Sequence, residues 1–496
     1  MVSQAERVVR TNSWALPPLG YPAAVTSSAP PSPSPPPAAV GGIRRVILAS
    51  SLGTLFEWYD FYLYGTLAVF FGGLFFPPGN ERAALLASLA AFGAGFGVRP
   101  LGAIVFGRIG DLVGRKYTFL VTIVTMGLST ALIGVLPTYA TIGIWSPILL
   151  VVLRLAQGLA LGGEYGGAAT YVAEHVPDHR RGFYTSFIQT TATLGFFVSL
   201  GVIGGARAYF GPDGFRSHGW RAPFLVSFVL LGISLYIRIK MSESPLFSKL
   251  KSEGRVSRNP LKESFANPRN RKFILLALFG ATAGQGVVWY TGQFYVLTFL
   301  QKPLNLDWPL AYTLVAVALA LGTPLFVYFG RLSDRVGRKR IMLAGCLLAA
   351  LTYVPLYMGL TRLVNPGFAP KVTSLPLGHA VGVVLLITVQ MVYVAMVYGP
   401  IAAFLVELFP TSIRYTSMSL PYHLGNGWFG GFLPLIATAA TTSPWVRQAL
   451  GPHAVYAGLV YPIAICAMTV VVGSLCIRET KDHRIDTPIG SWVSPI

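Results

Sequence analysis

From about residue 44 to 477 the chain alternates long apolar runs with short polar connections. Twelve runs can be drawn, at roughly 44–72, 84–107, 117–137, 146–171, 183–206, 221–240, 272–300, 309–330, 340–361, 378–403, 414–442 and 451–477. Each is long enough to cross a hydrocarbon core of about 30 Å at about 1.5 Å per helical residue. Lipid cannot hydrogen-bond an open backbone, and none of the runs shows the period-two alternation of a barrel strand, so the pattern predicts helices. The runs fall into two sets of six, and each set carries the same charged turn. Gly107-Arg108-Ile109-Gly110-Asp111-Leu112-Val113-Gly114-Arg115-Lys116 recurs as Gly330-Arg331-Leu332-Ser333-Asp334-Arg335-Val336-Gly337-Arg338-Lys339, with seven of ten positions identical at an offset of 223 residues. The expected fold class is therefore all-α integral membrane, with twelve transmembrane helices in two pseudo-symmetric six-helix bundles. The bundles are placed at residues 43–240 and 272–477, with a basic linker at 241–271.

Composition agrees with lipid as the solvent: 53% of residues are hydrophobic and 11% charged, and the mean hydropathy is +0.59, too little charge for an ordinary globular surface. A formal charge of +20 raises the question of nucleic acid, but the placement of the charge excludes that class. With the N-terminus inside, 28 of the 38 Lys and Arg lie on one side, 8 on the other, and Arg99 and Arg154 within the membrane. This positive-inside bias predicts a multi-pass inner-membrane protein with both termini cytoplasmic and anionic lipid as neighbour. Residues 1–42, with Pro30-Pro31-Ser32-Pro33-Ser34-Pro35-Pro36-Pro37, read as a disordered cytoplasmic tail without the apolar core of a signal peptide. Residues 478–496 read as a cytoplasmic C-terminal tail. Cys346, Cys466 and Cys476 have no metal-ligand spacing, and no cofactor or metal is expected. A phosphate-cradling loop would need a preceding strand and a Lys-Ser or Lys-Thr, so nothing supports ATP-driven transport.

In the charged turn, Gly114 and Gly337 permit a tight connection, while Asp111 and Asp334 can accept hydrogen bonds from a neighbouring helix end or from the Arg residues that follow. An ordinary basic loop would not account for the same Asp and Gly spacing in two places. A second pair follows the same logic: Glu174, Pro177 and Arg181 recur as Glu407, Pro410 and Arg414. Together these residues resemble the major facilitator superfamily over about Ile43 to Glu479. The resemblance implies that Asp111, Arg115, Glu174, Arg181, Asp334, Arg338, Glu407 and Arg414 latch the two halves and control gating without touching solute.

A finer likeness lies in Glu57-Trp58-Tyr59-Asp60-Phe61-Tyr62-Leu63-Tyr64-Gly65, Arg99-Pro100-Leu101-Gly102, and Arg154-Leu155-Ala156-Gln157-Gly158 continuing to Gly162-Gly163-Glu164-Tyr165-Gly166-Gly167. These segments resemble the metabolite:proton symporter family, whose members import small polar metabolites with protons across the bacterial inner membrane. The resemblance implies uptake of such a metabolite and no enzymatic activity.

The buried charges make their own case. An ionised side chain near the bilayer centre costs at least about 2.5–3.5 kcal/mol, so it should face a partner or a wet cavity. Asp60 and Arg154 come out at matched depths, about 20 Å from the cytoplasmic edge, which permits an ion pair. Glu57, Asp60 and Tyr64, at i, i+3 and i+7, should share a cavity-lining face, and Arg154 and Gln157 share another. Exchange of a proton at Asp60 for Arg154 is one coupling scheme. Glu57 is a rival proton site, and a static buried salt bridge is the alternative to both. Arg99 and Glu164 lie nearer the cytoplasm, where a structural pair and a functional role are both open readings. Gly158, Gly162 and Gly166 form a smooth stripe for close helix packing.

In the second half, Gln285, Trp289 and Gln293 recur every four residues beside Tyr290. Gln390 and Tyr393, and His423 and Asn426, form pairs three apart. Amides, phenols and an imidazole suit a reversible solute site, although the same groups can serve as interhelical glue, and His423 as a core histidine. With Tyr64, Arg154 and Gln157 these are the expected substrate contacts. The sequence thus points to a monomeric proton symporter that imports a small polar metabolite by alternating access. An organic acid such as a dicarboxylate is favoured because Arg154, and less so Arg99, could hold its carboxylate. A zwitterion such as proline or betaine, and a proton-independent facilitator or exporter, are the competing readings. A membrane-bound enzyme or sensor is a remoter one.

Overall fold

In the computed structural model, residues 40–79, 81–240 and 243–485 are described; the expected disordered tail lies outside them up to residue 39. Among the described residues regular structure is helical, apart from one isolated bridge between Leu306 and Val372. The first half comprises α1 (Val40–Phe75), α2 (Glu81–Leu112), α3 (Arg115–Val135), α4 (Trp145–His175), α5 (Arg181–Gly214) and α6 (Arg221–Ile239). The second comprises α7 (Pro268–Gln301), α8 (Trp308–Val336), α9 (Arg338–Val364), α10 (Leu377–Leu408), α11 in three pieces (Arg414–His423, Leu424–Gly430 and Leu433–Thr442) and α12 (Val460–Cys476). Nine helical runs among the described residues are long and apolar enough to cross a membrane. With α1, α2 and the interrupted α11 they make twelve passes. Two short helices, Pro245–Ser252 and Pro260–Ala266, lie between the halves.

The inner helices of the two halves differ in regularity. α4 runs through its glycine stripe unbroken, because a Cβ at Gly158 or Gly162 would collide with the backbone of Gly95 or Arg99 in α2. That side of α4 is a backbone-to-backbone seam, as small residues at a helix interface allow. α7 and α11 are instead interrupted by π-helical turns, at Leu278–Thr282 and Thr291–Tyr295 in α7 and at Leu424–Gly430 in α11. Such turns loosen the backbone ladder where side chains must be re-aimed, and they recur at functional sites.

Candidate functional site

The two charged turns lie at one end of the bundle, the latch face, and join the halves there twice over. Asp111 accepts the backbone amides of Tyr415 (3.3 Å) and Thr416 (2.8 Å) in α11. Asp334 does the same for Gly182 and Phe183 in α5, both at 2.8 Å. Arg414 bonds Glu174 at 2.8 Å, and Arg181 bonds Glu407 at 2.8 Å, so both ion pairs cross between halves. Arg115 lies 3.5 Å from Asp111 and 3.7 Å from Glu174; Arg338 lies 2.7 Å from Asp334 and 3.1 Å from Glu407. All eight residues expected to form the latch stand in this double network.

Two latch residues have no counterpart in the expected set. Glu243 accepts the amides of Arg115 and Lys116, each at 3.2 Å, at the start of α3. Glu479 accepts those of Arg338 (2.7 Å) and Lys339 (3.1 Å) at the start of α9. The preceding Gly114 and Gly337 have φ of 136° and 116°, which L side chains rarely adopt, and a Cβ at either would strike the carboxylate. The repeat could have revealed them: Glu243-Ser244 follows α6 as Glu479-Thr480 follows α12. Residues 480–485 pack under the latch: Thr480 bonds Glu407 (2.7 Å) and the Ile485 carbonyl accepts from Arg414 (2.8 Å).

Deeper in the bundle the first half buries three carboxylates and three guanidiniums, Glu57, Asp60, Glu164, Arg99, Arg154 and Arg238. Their pairing differs from the expected one. Asp60 does not meet Arg154. It accepts a hydrogen bond from Ser227 of α6 at 2.6 Å and lies beside Thr130 of α3. Arg154 donates to Gln157 at 2.6 Å and packs 4.1 Å over the Tyr64 ring, while Gln157 donates to the Thr130 hydroxyl at 2.6 Å. Asp60 and Arg154 are thus two ends of a thread through Thr130 and Gln157. Asp60 projects toward α3 and α6, whereas Arg154 lies along α4 and over the Tyr64 ring of α1, so the two side chains do not point toward each other.

Glu164 does not pair with Arg99 either. It bonds Arg238 and accepts from Thr122 at 2.7 Å. Glu57 lies against the same group, beside Glu164 and 4.0 Å from Arg238. Arg238, one residue before the end of α6, turns inward instead of reaching for the membrane surface. It bonds the Phe119 carbonyl at 3.0 Å and occupies space that any side chain at Gly53 would fill.

Between the halves sits a cavity of about 20 Å³. Its wall on the first half is Thr54, Glu57, Trp58, Arg99, Leu161 and Tyr165; on the second it is Trp289, Tyr290, Tyr398, Tyr422, His423 and Asn426. Among the described residues no carboxylate lies within 4 Å of Arg99, which packs over Phe96 (4.3 Å) and Phe61 (5.0 Å). Both ring nitrogens of His423 and the Trp289 indole nitrogen are buried without a protein hydrogen bond, while Glu57 lies against Glu164 and the Tyr290 hydroxyl against Arg99. Buried polar atoms of this kind usually have partners, so their concentration around one cavity points to a ligand or water site. Aromatic contacts close it across the halves. Tyr165 stacks on Tyr422 at 3.5 Å, Trp58 meets Trp289 at 5.4 Å and, one turn further from the latch, Tyr62 stacks on Phe294 at 6.1 Å.

Of the expected site residues, Glu57, Trp289, Tyr290, His423 and Asn426 meet at this wall. Gln285 stands behind it, in reciprocal amide bonds with Asn426 at 2.8 and 3.1 Å. The other expected positions are off the wall. Asp60, Tyr64, Arg154 and Gln157 face the interior of the first half, Tyr64 donating to the Ser88 carbonyl at 3.2 Å. Tyr393 accepts from Thr352 of α9 at 3.0 Å. Gln293 and Gln390 are buried with unpartnered amide atoms but do not line the cavity. Gln293 lies within the π-helical turn Thr291–Tyr295, which breaks its four-residue register with Gln285 and Trp289, whereas Gln390 and Tyr393 lie on a regular helix. Tyr165, Tyr398 and Tyr422 were missed, although the Tyr398 and Tyr422 hydroxyls bond each other at 2.5 Å.

The profile of the Major Facilitator Superfamily matches residues 50–434. The chain belongs to this superfamily. Its relatives are named as transporters of metabolites. It is 36% identical over 451 residues to the inner membrane metabolite transport protein YhjE of Escherichia coli strain K12, covering 89% of this chain and 95% of the relative. It is 33% identical over 461 residues to a proline/betaine transporter of Salmonella typhimurium, covering 91% and 87%. Among solved structures, the proton:xylose symporter XylE bound to 6-bromo-6-deoxy-D-glucose superposes with a TM-score of 0.67 at 19% identity, over 90% of this chain and 98% of that one. The chain is therefore a multi-pass inner-membrane transporter of the facilitator fold and not an enzyme.

Proposed function

We propose that this chain is a proton-coupled symporter that imports a small organic acid by rocking its two halves around the central cavity. The observation that carries the reading is the position of Glu57, which touches the cavity and the Glu164–Arg238 pair at once. Two carboxyl groups at one guanidinium leave one negative charge unmatched when both are ionised. A proton on the pair, or a change in what faces Glu57, restores the balance. Asp60 is the second proton carrier. Its protonation changes what the Thr130 hydroxyl can donate to, and through Gln157 the hold on Arg154.

Solute contacts fall to Trp289, Tyr290, His423 and Asn426, with Gln285 orienting Asn426. Arg99, with no carboxylate within 4 Å among the described residues, takes the place of Arg154 as cationic partner for an acid. About 20 Å³ accommodates a water molecule but no metabolite, so solute entry requires the halves to separate at the aromatic contacts. The latch face is cytoplasmic, as the Lys and Arg bias requires, with both termini there. The linker at 241–271 joins the bundles at 43–240 and 272–477, and a monomer contains the whole path. A zwitterion is the second reading, favoured by the name of the proline/betaine relative.

Uptake into proteoliposomes loaded at one pH and diluted into another tests the coupling. An acid-outside step should drive accumulation above the external concentration. Uptake indifferent to the step, with counterflow intact, would make the chain a facilitator. Counterflow screened over dicarboxylates, aromatic acids, amino acids and betaines tests the substrate class.

A further inference from the structure

On the latch face a notch of about 400 Å³ opens where the two halves meet, walled by His179, Arg180 and Phe183 of the first half and Arg331, Asp334 and Arg335 of the second. Arg180, Arg331 and Arg335 are exposed, and among the described residues none has a carboxylate within 4 Å. The acidic groups nearby are committed elsewhere. Asp334 accepts the Gly182 and Phe183 amides and pairs with Arg338, and Asp178 pairs with Arg181. Three like charges from opposite halves are therefore brought around one recess when the latch closes, which opposes closure.

The internal repeat shows that the latch does not need them. At the pseudo-symmetric junction, Leu112 stands where Arg335 does, and Thr411, Ser412 and Ile413 stand where Asp178, His179 and Arg180 do, with Arg108 the sole counterpart of the three arginines. The latch bonds themselves are matched on the two sides. The basic notch is thus an addition to one side of a duplicated device. Apolar surface adjoins it: Phe183 lines the notch, and on α8, which carries Arg331 and Arg335, Val336 and Tyr328 are 41% and 58% exposed.

We propose that the notch binds the phosphate of an anionic phospholipid headgroup, which bridges Arg180 to Arg331 and Arg335 and thereby favours the latched form. The chemistry is that of several guanidiniums around one phosphate, with acyl chains lying along the exposed apolar surface of α8.

The test is thermal unfolding of the full-length protein in neutral detergent, titrated with short-chain phosphatidylglycerol, short-chain phosphatidylcholine or inorganic phosphate. Phosphatidylglycerol alone should give a saturable rise in Tm. The triple variant Arg180→Gln, Arg331→Gln, Arg335→Gln should bind it more weakly by roughly fivefold per arginine, on the order of a hundredfold together. A control removing three exposed linker charges, Lys251→Gln, Arg258→Gln and Lys262→Gln, should bind as the parent does. The charge-keeping pair Arg331→Lys and Arg335→Lys guards against a triple variant that fails to fold, and should retain most of the affinity. Asp111→Asn, which weakens the other side of the latch, should lower the affinity for phosphatidylglycerol because the notch needs both halves. Equal stabilisation by inorganic phosphate would overturn the lipid assignment. An unchanged affinity in the triple variant, or an equal loss in the linker control, would overturn the site.

Discussion

The two halves of this transporter are alike at the latch and unlike in the middle. At the latch the central bonds of one side recur on the other: Asp111 and Asp334 on amides, Glu174 and Glu407 on arginines, Glu243 and Glu479 at the starts of α3 and α9. Beyond the latch the first half buries six charged groups, while the second presents amides, phenols, an indole and His423 from helices interrupted by π-helical turns. Opening and closing need the same mechanics from both halves. Holding a proton and recognising a solute are separate tasks, and the duplicated bundle divides them.

The sharpest way to break this comparison is to unbalance the charged half. Arg238→Met leaves Glu57 and Glu164 buried without their cation, which should cost about 3–5 kcal/mol and sharply lower the Tm and membrane yield. The double variant with Glu164→Gln should recover most of the loss, because it returns the net charge of the cluster to that of the parent, with Glu57 the one carboxyl group left. No rescue would mean that Arg238 serves packing alone. Next in size, Asp60→Asn should abolish proton-driven accumulation in proteoliposomes while counterflow continues; undiminished accumulation would remove Asp60 from the coupling.

The symmetry of the latch predicts equality. Glu174→Gln and Glu407→Gln should each weaken it by about 1–3 kcal/mol, and spin-label distances across the latch face should shift to longer values by similar fractions. A large effect from one and none from the other would show that only one side closes the transporter. In the uncharged half the effects should be smaller and confined to solute. Tyr290→Phe and His423→Leu should raise the counterflow KM by roughly tenfold or less, with Tm within a few degrees of the parent. Tyr393→Phe, off the cavity wall, should leave KM unchanged.

The latch was readable because its parts sit in short turns, where ten consecutive residues specify both the bend and its charges. The midplane was only half readable. Helical rise orders Asp60 and Arg154 along their helices, but which of five neighbouring helices a side chain meets depends on helix rotation, to which a spacing of three or four residues within one helix is blind. Ser227, Thr130 and Arg238 come from α3 and α6, far away in sequence and unremarkable there. An arginine at a helix end ordinarily extends to the interface, so by position alone Arg238 reads as part of the basic loop. The space that reverses it is at Gly53, 185 positions earlier. The substrate wall was least readable, since three of its tyrosines are polar only at one atom.

Neither α5 nor α11 begins with a capping side chain of its own; Arg180 and Ile413 occupy those positions and make no such bond. Their first free amides are held by Asp334 and Asp111, which belong to the opposite bundle. Each bundle thus finishes a helix of its sibling, and tilting the two apart leaves both helix starts ragged, at a penalty on the order of 1 kcal/mol apiece. That is small enough to be repaid by water on every turnover. It makes the amide hydrogens of Gly182, Phe183, Tyr415 and Thr416 a built-in clock, whose deuterium uptake records the fraction of time the inner door stands ajar.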